Sequence, residues 1–248
     1  DNSGDLARRA KATAATIFAE AEAETDTSKK RKIRKHALAS ETRSALDSML
    51  YLAKSEIELE CLSQRLDTDP WAFNLQNGTL DLRTGKLSAH DRTDMLTKVS
   101  PVSYDKDATC PQWDEFLQFA MEGNQEVIDF LYRYWGYCLS GDISAQSLVF
   151  MEGSGENGKS AFLGTMLHIM GDYGIQGADG LLLEKRWETH PTELADLEGV
   201  RFVATSEPDK GKHFAESLIK KLTGGEPVRA RRMREDFYQF PATHKISV

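Results

Sequence analysis

The 248 residues carry a net charge of −8, with 40% hydrophobic and 28% charged side chains, an ordinary balance for a globular protein able to bury a sizeable core. No apolar run approaches the ~20 residues of a bilayer crossing, and "DNSGDLARRA" has no leader pattern. Cys61, Cys110 and Cys138 lack C-x-x-C spacing and fit reduced thiols, so a cytoplasmic protein (in a bacterial host or a virus-infected cell) without a membrane partner is expected. The acidic balance excludes a surface coated in nucleic acid but not a local basic channel.

From Leu6 to about Glu24 the Ala-rich chain predicts a helix. "TSKKRKIRKHALASETRSALDSMLYLAK" continues the helical pattern, with Ala45, Met49 and Leu52 in register. Its cluster "KKRKIRK", Lys29 to Lys35, reads as a solvated face or a nucleic-acid contact. Pro70 breaks the pattern. "FNLQNGTLDLRTGKLSAH" then reads as β-hairpins between about residues 72 and 90. Asn77-Gly78 predicts a type I′ turn, and Arg83 to Lys86 a second turn.

After Pro111, a helix places Trp113, Phe116, Leu117 and Ala120 on one face. Gly123-Asn124 stops it. The next helix carries Ile128, Leu131, Tyr132, Trp135 and Leu139 as a core stripe and ends near Gly141. From Gln146 the pattern becomes α/β. "SLVFME" is a buried strand, and "GKSAFLGTMLHIMG" a helix with Phe162, Leu163, Met166, Leu167 and Met170 inward. "HPTELADLEG" is a short helix and "RFVATSE" a second buried strand. "GKHFAESLIKKLTGG" is a helix ended by a Gly pair, "EPVRARRMREDFYQF" a hairpin, and "THKISV" a last strand. The expected division is a mainly helical domain over residues 1–143 and an α/β domain over 144–248.

"GSGENGKS", Gly153 to Ser160, matches G-x-x-x-x-G-K-[ST] in the context that motif requires, after a strand and opening a helix. Gly153, Gly155 and Gly158, with Ser154, Glu156 and Asn157 between them, turn the backbone so that its N–H groups meet phosphate oxygens at a helix N-terminus. Lys159 would reach the β- and γ-phosphates of ATP, and the Ser160 hydroxyl would ligate Mg²⁺. A hydrolase also needs an acid on a neighbouring strand, to hold the metal or polarise the attacking water. Glu207, after "RFVATS", is the candidate. Many phosphate-loop enzymes carry two consecutive acids there. Here Ser206 precedes Glu207, so Glu207 acts mainly on the water, and a partly hydrated Mg²⁺ suits that arrangement.

"GSGENGKS", "HPTELADLEGVRFVATSE", "LIKKLTGGEPVRARRM" and "FPATHKISV", in this order and preceded by "DPWAFNLQNGTLDLRTGKL…CPQWDEFL", resemble the superfamily III helicase core of phage and plasmid primase–helicases, the family of the poxvirus primase–helicase. The resemblance runs from about residue 41 to the end. It implies a phosphate-loop, AAA+-like parallel sheet flanked by helices. It further implies a homo-hexameric ring that hydrolyses ATP while moving on single-stranded DNA, and a primase domain or partner. In that family a hairpin between the acid strand and the last strand enters the channel. The matching residues here are Lys220, Lys221, Arg229, Arg231 and Arg232, with Ala230-Arg231 at the family's Ala-Arg step and His190 at a position of unassigned role. Mobile cations suit a channel that tracks phosphates, although salt bridges to Glu226, Glu235 or Asp236 are the alternative.

The family's γ-phosphate-sensing Asn and its arginine finger follow the last strand, beyond Val248. A piece of a longer protein, weak in ATP hydrolysis by itself, is therefore expected. The other readings are an initiator or loader that uses ATP only for assembly, and a small-molecule kinase, for which no acceptor site or lid is visible.

Overall fold

The computed structural model describes residues 4–56, 65–153, 155, 157–184, 192–205 and 212–248. Contacts divide the chain into two compact units, Asp1–Ser63 and Gln64–Val248. The α/β pattern begins near residue 144, but the compact unit that contains it begins at Gln64.

The first unit holds α1 (Asp5–Ala23), α2 (Thr27–Ser40) and α3 (Arg43–Ala53). The expected continuation of helix beyond residue 27 is interrupted. Thr42 leaves helical geometry and its hydroxyl accepts from Ala45 N at 3.3 Å, so the side chain caps a new helix. Small residues let α1 and α2 approach: Ala10, Ala14, Ala21 and Ala37 are buried. Leu52, in helical register with Ala45 and Met49, is 60% exposed.

The second unit opens with an antiparallel meander of β1 (Ala72–Leu75), β2 (Gly78–Asp81) and β3 (Lys86–Ser88). The hairpin forms where expected, but its turn is not type I′. Asn77 is not at positive φ. Its side-chain amide instead exchanges hydrogen bonds with the Tyr104 backbone, at 2.9 and 3.0 Å. Gly78 lies in the strand at φ 150°, where a Cβ would meet the Ser88 carbonyl oxygen at 2.3 Å. The third strand can approach because that position has no side chain.

Next come α4 (Pro111–Ala120), started by a proline as helices tolerate, and α5 (Gln125–Leu139). The Asn124 side chain caps α5 by accepting from Val127 N. The buried stripe of α5 is Ile128, Leu131, Tyr134 and Cys138. Tyr132, expected inside, is 43% exposed and donates its hydroxyl to Asp114 at 2.6 Å.

The remaining chain builds a four-stranded parallel sheet in the order β4 (Leu148–Val149), β9 (Lys245–Ser247), β6 (Phe202–Ala204), β5 (Gly174–Gln176). The chain leaves β4 at one edge, crosses through α6 (Lys159–Met170) to β5 at the other, and returns inward through β6 to β9. The sheet is packed on both faces, as parallel sheets are. Phe202 and Ala204 join a core with Phe162, Met166, Met170, Leu117 and Tyr134. Val203 and Ile246 join a second core with Leu197, Leu222, Val228 and Ala230. That second side carries α7 (Thr192–Ala195), α8 (Glu216–Thr223) and the hairpin of β7 (Val228–Arg231) with β8 (Phe237–Phe240). The chain is therefore a mixed α/β protein with a helical N-terminal region and a parallel four-stranded sheet. Among the described residues no helix is long and apolar enough to cross a membrane.

Two buried cations fix the amino edge of the sheet. Arg201 donates to the carbonyl oxygens of Leu139 at 2.7 Å and Ala72 at 2.8 Å, and its guanidinium carbon lies 4.5 Å from the Tyr173 ring centre. Lys245 donates to the carbonyl oxygens of Ser140, Asp142 and Thr243. Both reach carbonyls at the C-terminal end of α5, where the helix leaves acceptors unpaired and partial negative charge accumulates. Burial lowers the Lys245 pKa to about 7.

Candidate functional site: a phosphate-type loop and a basic hairpin

In a parallel sheet all the carboxyl ends lie along one edge, and ligands of open α/β sheets bind outside that edge where the strand order reverses. Here that edge gathers Val149, Gln176, Ala204 and Ser247. Val248 is held against β4 from both sides: its N–H donates to Val149 O at 2.9 Å, and Met151 N donates to Val248 O at 2.8 Å. The segment entering the Gly-rich loop is therefore tied to β9. On the other side of β9, Thr205 donates to Ser247 O through both its N–H (2.8 Å) and its hydroxyl (3.2 Å). The loop strand and the strand that leads to Glu207 thus flank β9. Glu207 itself lies outside the described residues, as do Ser154, Glu156 and His190.

The described part of the loop folds back on itself. The Asn157 amide lies over Gly153, and the Lys159 ammonium donates to Gly153 O at 3.1 Å. Gly158 is the N-cap of α6 at φ 86°, and among the described residues no side chain caps the helix. The first N–H groups of a helix have no acceptor within it, and the helix adds partial positive charge there. Ser160, in the first turn, is exposed.

The spacing of Phe116 marks it only as a core residue, but the structure places its ring directly against the loop. A Cβ on Gly158 would meet Phe116 Cε2 at 2.8 Å and Cζ at 3.0 Å. Behind it, Trp113 stacks near Phe116 (5.1 Å between ring centres), Trp135 (5.0 Å) and Phe162 (5.7 Å), the last on α6 itself. The start of α6 is thus wedged against α4. Forty-two positions separate Phe116 from Gly158 in the sequence, and periodicity alone cannot connect them.

The basic hairpin divides the sequence-predicted cations. Strand pairing sets Arg229 opposite Gln239 and Arg231 opposite Phe237, so both arginines project from one face. Their guanidinium carbons lie 4.4 and 5.4 Å from the Phe237 ring centre. The opposite face, Val228, Ala230 and Phe240, is buried. Arg231 also donates to Glu235 O at 2.7 Å. Arg232 turns elsewhere and pairs with Glu198 at 2.8 Å. Lys220 and Lys221 belong to α8. Lys220 stands 3.6 Å from Glu216, with both side chains mostly exposed, and Lys221 is half-buried.

Residues 1–122 match the family described as D5 N terminal like. The matched stretch is just under half of the chain and ends before the Gly-rich loop. Over 185 residues the chain is 27% identical to the protein named "Putative helicase L207/L206" of Acanthamoeba polyphaga mimivirus. That alignment takes in 72% of this chain and 19% of the relative's length. The chain therefore resembles the D5 N-terminal-like family in its N-terminal part and, at low identity, a viral protein named as a putative helicase.

Proposed function

We propose that residues 144–248 form the phosphate-loop ATPase core of a superfamily III, AAA+-like DNA helicase, which couples ATP hydrolysis to movement on single-stranded DNA. The setting is replication of a phage- or plasmid-like element, with a homo-hexameric ring and a primase domain or partner.

The observation that carries this reading is the loop that ends at Gly158. It sits at the carboxyl edge of the parallel sheet, its lysine folds over it, and it opens a helix that no side chain caps among the described residues. These features fit a triphosphate: oriented N–H donors, a cation within reach and the positive end of a helix. Ser160 and Glu207 are the residues that would hold Mg²⁺, which supplies charge neutralisation at the phosphates. Glu207 would take the water's proton. The strand order places β9 between the loop strand and the acid strand, so the backbone following β9 borders both.

The second support is the hairpin face. Two arginines around an exposed aromatic ring combine phosphate attraction with a stacking surface, the pairing used on single strands. The chain spans 19% of the viral relative's length, and ring assembly and unwinding belong to this proposal as properties of the whole protein.

The test is ATP turnover by the whole protein, with and without single-stranded DNA. Arg229→Gln with Arg231→Gln should leave basal turnover in place and abolish its stimulation by DNA. Arg232→Gln, which removes the ion pair with Glu198 and the contact with the Tyr238 ring, should keep the stimulation. Full stimulation of the double variant would contradict the assignment of this face to DNA.

A further inference from the structure

Lys29 to Lys35 hold six cations within seven residues, in a chain whose net charge is −8, and the ATPase reading makes no use of them. They occupy the first turns of α2. The start of that helix is fixed by Asp26, whose carboxylate accepts from Ser28 N at 2.8 Å and Lys29 N at 2.9 Å. The helix sorts the cations into two sets. Lys30 and Arg34 lie on the side of buried Ala37, and both pair with Glu22 of α1. Lys29, Arg31, Lys32 and Lys35 lie around the outer side and are exposed, with His36 beside them. Among the described residues none of these four has a carboxylate within ion-pair distance.

This outer face holds unrelieved repulsion. Positions 29 and 32, 31 and 35, and 32 and 35 are neighbours on a helix, and like charges at such spacings destabilise it. Arg31 and Lys35 stand about 6 Å apart along the axis, and Lys32 and Lys35 about 4.5 Å. Those spacings are on the scale of the phosphate repeat of a nucleic-acid strand. α2 contains no Asn, Gln, Tyr, Phe or Trp, so it lacks the amides that read adenine edges and the larger rings that stack on bases; three of the four outer cations are lysines, point charges suited to phosphate. A helix that lies in a lipid surface needs a broad apolar face. In α2 the side opposite the outer cations is already covered by α1, through Ala37 and the Glu22 pairs.

We propose that the outer face of α2 is a second nucleic-acid contact, which grips the phosphate backbone without reading bases. It extends the DNA part of the reading above to another surface and does not depend on the phosphate loop.

The experiment measures the affinity of the chain for labelled oligo-dT and for a random-sequence duplex across a salt series. The variant is Lys29→Gln, Arg31→Gln, Lys32→Gln, Lys35→Gln. Glutamine keeps helix propensity, and the Glu22 pairs are untouched. At about 0.7 per phosphate contact on a single strand, the slope of log K against log salt should become shallower by about 3. The effect should be the same for unrelated base sequences. If circular dichroism shows lost helix, Arg31→Gln with Lys35→Gln replaces the quadruple variant, with an expected change of about 1.4. An unchanged slope in a folded variant overturns the proposal. So does an unchanged slope accompanied by lost binding to phosphatidylserine vesicles. The hairpin variant in the same assay separates the two surfaces: if it alone lowers the slope, the α2 contact fails and the hairpin reading stands.

Discussion

His244 is 3% exposed, and neither ring nitrogen has a hydrogen-bond partner among the described residues. Burial, reinforced by the neighbouring Lys245 charge, lowers its pKa to about 4, so the fold holds it neutral. The unfolded chain protonates near pH 6.5. Between those values the unfolded state binds a proton that the folded state does not, so stability falls as pH falls from about 6.5 to about 4. The full effect is about 3 kcal/mol at ~1.4 kcal/mol per pKa unit. His244→Met, which removes two unpaired polar atoms at similar volume, should be neutral or stabilising at pH 7.5 and should flatten this acid limb. Urea unfolding at several pH values checks it. An acid limb as steep in the variant as in the wild type would contradict the role given to His244.

At the scale of elements, the decisive packing is α4 against the start of α6. Gly158→Ala introduces two costs, a strained positive φ and a Cβ inside the Phe116 ring contact. Phe116→Ala removes the second cost only. The two substitutions should therefore be non-additive, with a coupling of at least about 1 kcal/mol in a double-mutant cycle by urea unfolding. Strict additivity would mean that Phe116 does not press on the loop. The sequence made both helices legible, through the i, i+3, i+4 spacing of Trp113, Phe116 and Leu117 and through the inward Phe162, Met166 and Met170. It did not reveal that they meet, because helical spacing identifies a buried face and not the partner it is buried against. The same limit explains Tyr132. An apolar stripe one position wide of the true one fits the sequence almost equally well, and only the hydroxyl's bond to Asp114 shows the ring turned outward. β5 escaped notice for another reason. Gly174–Gln176 is three residues long, too short for an alternating pattern, and is held as a strand by β6.

For the whole molecule, the compact division at Ser63/Gln64 was not legible in the sequence. Residues of β1, β2, α4 and α5 share one core with α6 and β6, and nothing local in "FNLQNG" or "QWDEFL" records that distant packing. The fate of the individual arginines was also closed to sequence reading. Arg229, Arg231 and Arg232 look alike in "RARR", and strand alternation with one acidic neighbour, Glu198, separates them. The central claim, that the loop before α6 takes the phosphates of ATP with Lys159 over them, is tested most directly by calorimetric titration of a non-hydrolysable ATP analogue with Mg²⁺ into the wild-type chain and Lys159→Ala. The wild type should bind, and the variant at least about tenfold more weakly, as expected for the loss of a charge-assisted contact, with an unchanged thermal unfolding transition. Equal affinity in the two proteins, or no binding to the wild type, would contradict it.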